Sequence, residues 1–588
     1  MRTAPMAKRT GSDRGQLWSL AIQKTVGSHL PGRWDLIGPF VHVTPTRLVI
    51  APQDIRTADP TVATDIYAGL YSFGGHTVDV GGNSPFVVEP PSAEWARALH
   101  GFAWLRHLRA SDSALSRSNA RALVDEWIRL GSKLPPVAWE DSVAARRLLS
   151  WLSQSPLILE DCDHGFYQRF LKAVGRHVHQ LRCAFARSDD GLPRMRMVMA
   201  LTAAAAAIAD QPGFARWVTR ILDRELTIQI LADGGHVSRQ SGVILELLAD
   251  LLPIRQALSV RGITPSQTLG EAIDRMMPMV RFFRHGDGAF ALFNGMGATP
   301  SDLVATVLAY DDSRGTAPGN ARHSGYQRME GGGAVAIVDT GLPPPLRFAR
   351  EAHAGCLSFE FSDRTNRIIV NCGLPAGGRA VWRDLARTTA AHSTLVVGDT
   401  SSARVLSPDG LGRRLGPLLY RGPREVDVYR QEGADQTSVV ADHDGYLAKF
   451  GIVHERTLVL SADGRVLMGR DRLTPSGRKA GDKTPFAIRF HLHPKVRANR
   501  SQGGQAVLLV CEDRSAWRFV AEEIEPELEE SVFLAGSHGM RRTSQIVLHG
   551  RVDGETTINW RLEKEAERVR TRKRSADEPE EDDAPLLI

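Results

Sequence analysis

Cysteine is scarce in this chain of 588 residues. The five present, Cys162, Cys183, Cys356, Cys372 and Cys511, are odd in number, scattered, and include no CxxC pair. This argues against a disulfide framework or a zinc site and reads as reduced, mostly buried thiols. Long apolar runs are lacking too. The most apolar stretch, around Ala203–Ala207, is an alanine-rich helix well short of a membrane span. The leading residues, MRTAPMAKRTGSDRGQLWSL, carry positive charge without the apolar core of a secretory signal, so the sequence reads as cytoplasmic. There is no GxSxG, HExxH or Walker sequence, and GLGRRLG at Gly410 lacks dinucleotide-fingerprint spacing. The net charge of +6 is small for this length. It suits an anionic ligand and makes no case for nucleic acid.

What is present falls into two grammars, in a chain long enough for two or three domains. Residues 1–94 form a basic lead and a small mixed region ended by Pro90 and Pro91. From Trp95 apolar residues recur at three- and four-residue spacing, as in EWARALHGFAWLRHLRA. Further helices are expected over 118–130, 142–152, 166–185, 195–209, 213–231, 243–260 and 269–283. Pro253 should break or kink the helix of 243–260. Helices of this length with short loops predict stacked hairpins over 95–310, either closed as a toroid or open as a solenoid. A Gly/Pro/Asp-rich linker occupies 311–322. Residues 323–563 then show many short strands separated by turns, including the Asp-Gly hairpin signal in LSADGRVLM, which predicts a β-sandwich or barrel. The charged stretch 564–588 reads as a disordered tail.

Three segments of the β half carry a likeness: HSGYQRMEGGGAVAIVDTG from His323, AHAGCLSFEFS from Ala352, and the IIVNCG strand followed by AHSTL around His392. They resemble the heparinase II/III-like polysaccharide lyases, in an alphaproteobacterial-type branch. The resemblance implies an α+β multidomain chain, an N-terminal α/α toroid of helical hairpins followed by an antiparallel β-sandwich. It implies β-elimination on an acidic, uronate-containing polysaccharide or oligosaccharide, with no cofactor required. It also points toward the periplasm or cell envelope, against the reading of the N-terminus.

Such a lyase must neutralise a carboxylate, remove the adjacent proton and support the leaving oxygen. His392 is the residue best carried over from the family. LADGGHVSRQSGVILELL resembles the family's DGGH loop and offers His236 for proton transfer, with Arg239 and Gln240 for the carboxylate. Two customary pairs are missing. Val243 and Ile244 stand where many relatives have Tyr-His, and RMRMVMAL, with Arg194 and Arg196, replaces an Asn-His. Arg196 is taken as a further carboxylate ligand. Tyr446 is taken as the substitute phenol, and His454 and Arg456 of the same stretch as substrate contacts. His443, Asp444 and His454, with His491 or His493, offer donors that could also hold a divalent metal in the β domain, although the chemistry requires none. The missing pairs support an alternative, a glycan-binding protein of the same fold without catalysis. A glycoside hydrolase is the third reading, with Asp233 and Glu246 as its carboxylates.

Overall fold

A computed structural model describes residues 15–22, 45–188, 191–311, 315–377, 380–476, 483–501, 503–537 and 539–566. The tail from 567 onward and most of the leading 44 residues lie outside these. The long helices are α1 (Ala93–Gly101), α2 (Ala114–Leu130), α3 (Asp141–Ser153), α4 (His164–Arg187), α5 (Leu192–Ala207), α6 (Pro212–Gln229), α7 (Ser241–Val260) and α8 (Gln267–Phe282). They pack as the hairpins of an α/α toroid. Side-chain caps start several of them: Ser92, Ser113, Asp163 and Ser266 each accept a backbone N–H of the first turn. Helix α5 packs against α3, α4, α6 and α7. It is buried almost all round, which explains why it is built from methionine and alanine. Helix α7 runs unbroken through Pro253. The proline does not end it, because its turn is flanked by buried Leu248, Leu251, Leu252 and Ile254, and packing outweighs the lost hydrogen bond.

The helices give way to strands after Ala309. The strands used below are β1 (Tyr326–Gly331), β2 (Ala334–Asp339), β3 (Phe359–Asp363), β4 (Asn366–Val370), β5 (Leu395–Val397), β6 (Val426–Glu432), β7 (Gln436–His443), β8 (Ile452–Ser461), β9 (Val466–Pro475), β10 (Pro485–Leu492), β11 (Arg497–Arg500), β12 (Ala506–Val510), β13 (Ala516–Ala521), β14 (Glu527–Phe533), β15 (Arg541–Arg551) and β16 (Thr556–Lys564). One antiparallel sheet runs β14-β15-β10-β4-β3-β2-β1, with β5 on β10; the other runs β6-β7-β8-β9-β16-β13-β12-β11. Alternating burial along β8 puts every second side chain between the sheets. That inner layer, with Phe359, Phe490, Trp517 and Trp560, is one core. The toroid core is the other, and it continues into the first sheet through Tyr326, Val335, Ile337, Val370 and Phe533.

Candidate functional site

A cleft of about 990 Å³ opens where toroid meets sandwich. Arg196 and Glu246 come from α5 and α7, Ser238 and Gln240 from the loop before α7, and Phe348, Arg350 and Glu351 from the sandwich. Leu20, on a short helix over 15–22, closes one side. That helix is held by Leu17 and Ala21 against Leu346, Leu415 and Leu418.

The loop 231–240 is largely a joint between the domains. Asp233 accepts the backbone N–H groups of His323 and Ser324, both 2.7 Å away. Arg239 crosses into the sandwich and donates to the carbonyls of Ser324, Gly325, Gly341 and Leu342 and to Asp339. Every arm of that guanidinium is engaged, so the structure gives Arg239 a tethering place between the two halves. Glycine is required around it. Gly234 has φ +86°, and a Cβ there would lie 1.8 Å from the Arg275 carbonyl oxygen, while one on Gly341 would meet the Arg239 guanidinium at 2.3 Å. His236 is buried beneath the loop, its Nδ1 2.7 Å from Ser238 Oγ and its Nε2 3.1 Å from Gln229 Oε1. Burial above all holds its pKa down to about 3. It is therefore a neutral brace for the loop.

Arg196 stays in the cleft, where both its ends pair with Glu246 at 2.6 and 2.8 Å. Glu246 is thereby occupied by Arg196, and Asp233 by the sandwich backbone. The two carboxylates proposed for hydrolysis do not face one bond. Gln240 also lines the cleft and donates to the Gly295 carbonyl at 2.8 Å.

His392 ends a short 3-10 turn, Thr389–Ala391, and is buried. Its Nδ1 lies 2.7 Å from the Thr388 carbonyl, which fixes the proton there. Nε2 is left as an acceptor, and His353 Nδ1 lies 3.2 Å from it. The far nitrogen of His353 is then a bare acceptor, buried and without a partner. Gly355 makes the pair fit, since a Cβ there would press on the His392 ring at 2.7 Å. Burial first lowers both pKa values, that of His392 to about 4. His353 escaped the sequence reading, although it lies within the AHAGCLSFEFS segment. So did Arg350 and Glu351, immediately before it. Nothing in their local pattern separates them from surface charge.

Tyr446, His454 and Arg456 are placed elsewhere, inside the sandwich. The Tyr446 hydroxyl donates to the Leu395 carbonyl at 2.8 Å, and burial raises its pKa. Arg456 and His454 both bond to buried Asp471, which also accepts from Trp560 Nε1. Burial would raise the Asp471 pKa, but Arg456 and His454 outweigh it and hold the carboxylate ionised. His443 joins this network through His454, Nε2 to Nδ1, at 3.4 Å.

Of the donors weighed for a metal in the sequence, His443 and His454 meet each other, and the rest are engaged elsewhere. Asp444 caps the backbone of Arg424 and Glu425. His491 binds Ser531 and the Ala390 carbonyl, and His493 lines a different cavity. Among the described residues, ligand atoms come together at Glu527, Glu529 and His549 on the edge strands β14 and β15. There Glu529 already accepts from His549, Arg489 and Gln545.

Helical toroid, antiparallel sandwich and intervening cleft define a protein of polysaccharide-lyase architecture. The heparinase III crystal structure superposes with a TM-score of 0.67 at 13% identity, over 94% of this chain and 90% of that one. Heparan sulfate lyase HepC from Pedobacter heparinus, in a mutant form, gives 0.61 at 13% identity, over 94% and 88%. The family model "Heparinase II/III-like, C-terminal" matches residues 313–561. FtsZ-localized protein C of Caulobacter vibrioides is 31% identical over 569 residues, covering 94% of this chain and 96% of that protein. The chain belongs to the heparinase II/III-like family.

Proposed function

We propose that the chain binds an acidic, uronate-containing oligosaccharide in this cleft and holds it without the tyrosine–histidine proton transfer of an eliminating lyase. One observation carries the reading. Among the described residues, the cleft lining offers arginine, glutamate, glutamine and serine, and no tyrosine, histidine or lysine. Arginine is suited to a carboxylate, which it grips with two parallel N–H donors. Arg350 uses one donor on the Leu415 carbonyl, and Arg196 is already oriented by Glu246. Elimination also needs a base in reach of the carbon beside the carboxylate, and this lining offers no histidine, tyrosine or lysine for that task.

A second reading, the lyase itself, draws on the His353–His392 pair. The bare, buried Nε2 of His353 is an acceptor in its basic form at neutral pH. The two readings separate in one experiment. Uronate-containing polysaccharides (heparan-type, alginate and bacterial exopolysaccharides) are offered to the protein, with binding followed by calorimetry and elimination by the ultraviolet absorbance of an unsaturated uronate. Binding without absorbance, weakened about tenfold or more by Arg350→Ala, is the expected outcome. An absorbance rise that His353→Ala or His392→Ala abolishes would establish the lyase. The relative's name suggests a place as well. We propose that this chain also gathers where FtsZ does, and a fluorescent fusion that spreads evenly through dividing cells would refute that.

A further inference from the structure

A second cavity, of about 940 Å³, lies at the far end of the toroid from the cleft. Helix α5 spans the distance. Leu192, Pro193 and Arg196 near its start line the cleft, while Ala205 near its end and Ile208 just beyond it line this groove. Its sixteen residues put about 24 Å between the two. The floor is apolar and built from small or aliphatic side chains, Ala205, Ile208, Ala215 and Ile263. The rim is cationic. Arg216 and Arg220 stand one turn apart at exposed positions of α6, and Arg261 follows the last residue of α7. Arg220 donates once, to the Arg216 carbonyl, and Arg261 keeps a buried Nε with no partner. Among the described residues none of the three pairs with a carboxylate. In the lining one acid, Asp210, is set against them. Beside Arg261, Val260 leaves 70% of its surface in solvent, so the apolar character reaches the rim.

Three guanidinium groups without carboxylate partners, set around an apolar floor, match a ligand that carries several carboxylates with apolar groups among them. A stretch of protein chain supplies both at fixed spacing. An amphiphile with a single charge would leave two of the arginines unmatched. A bilayer is flat, and its acyl region would not reach a floor recessed between helices. A sugar would find no aromatic ring in the lining to stack on. A second copy of this chain, docked through the same face, would bring its own cationic rim against this one.

We propose that the arginine-rimmed groove docks an acidic peptide segment of another protein, one in which aspartate or glutamate is interspersed with aliphatic residues. The carboxylates meet Arg216, Arg220 and Arg261, and the aliphatic side chains cover the floor. At its distance from the cleft the groove can be filled while the cleft is occupied.

The test selects a displayed library of random peptides on the full chain and measures the enriched peptides by fluorescence anisotropy. Peptides combining several acidic residues with aliphatic ones are the expected result. Arg216→Glu with Arg220→Glu should lower their affinity about tenfold or more. Exchanging the acidic residues of the peptide for lysine should restore binding to that variant. Both arginines are exposed, so the variant should keep the thermal midpoint of the parent. Arg350→Ala, in the cleft, should leave the peptide affinity as it was. No enrichment, enrichment of peptides without acidic residues, or an affinity that ignores the charge reversal or falls with Arg350→Ala would overturn the proposal. Vesicles of phosphatidylglycerol that bind through the same two arginines, with no selected peptide competing, would overturn it in favour of a lipid.

Discussion

A histidine enclosed by protein on every side can be kept neutral far below its ordinary pKa, and this chain has several. His392 is held near 4, and His236 and His491 near 3, in each case first by burial. The unfolded chain takes up protons at these positions below about pH 6.5, whereas the folded chain does not. Stability therefore falls as the pH drops from 6.5 toward the folded value, and each group's contribution to the fall ends there. The slope is about 1.4 kcal/mol per pH unit for each such histidine. Urea unfolding of His392→Gln between pH 7 and 4.5 should accordingly show a shallower loss than the parent. Equal slopes would mean that His392 titrates freely in the folded protein. The same enclosure explains why residue types alone misdirect the search for a site. Tyr446, His454 and Arg456 have the right chemistry for a lyase, but their partners are Leu395, Asp471 and each other's neighbours in the sandwich core. Sequence shows which side chains can carry a proton and leaves open which of them meets solvent.

At the scale of elements, the change from three-and-four-residue periodicity to short alternating strands was plain in the sequence, because it follows from burying one face of each element. The direction of individual side chains was not. Loop 231–240 shows why. Its glycines and polar residues read equally as a substrate loop or as a close crossing between domains, and the difference lies in Ser324, Asp339 and Gly341, about a hundred residues further along the chain. Pro253 is a similar case, since only the packing around α7 reveals that the helix continues through it. The close crossing can be tested directly. Gly341→Ala places a methyl group 2.3 Å from a guanidinium nitrogen of Arg239. A free arginine would swing aside, but this one is held by four carbonyls and Asp339. The substitution should cost about 1–3 kcal/mol in chemical unfolding. No loss of stability would mean that Arg239 is mobile and available to a ligand after all.

Across the whole molecule, the cleft depends on how rigidly two differently built halves are joined. The joint is polar and buried. His285 of the toroid lies 2.8 Å from Ser362 and 3.1 Å from Glu360 in the sandwich. Glu360 also accepts the backbone N–H of Leu292 from the toroid and of Asn371 from its own sheet. Asn294 donates to Tyr326, whose hydroxyl donates to the Arg239 carbonyl. Removing one partner from such a network leaves the others desolvated and unpaired. Arg239→Met would strand Asp339, whose pKa burial already raises, and should cost about 3–5 kcal/mol. Because the toroid core runs on into the first sheet, the parent should unfold in one calorimetric transition. Arg239→Met should lower that transition and divide it, as the sandwich, with its own core between the sheets, outlasts the joint. Two transitions already present in the parent would show that the halves are only loosely coupled. A ligand bound across the cleft would then have to align Arg196 and Arg350 itself, and its affinity would be lowered by the free energy of that alignment.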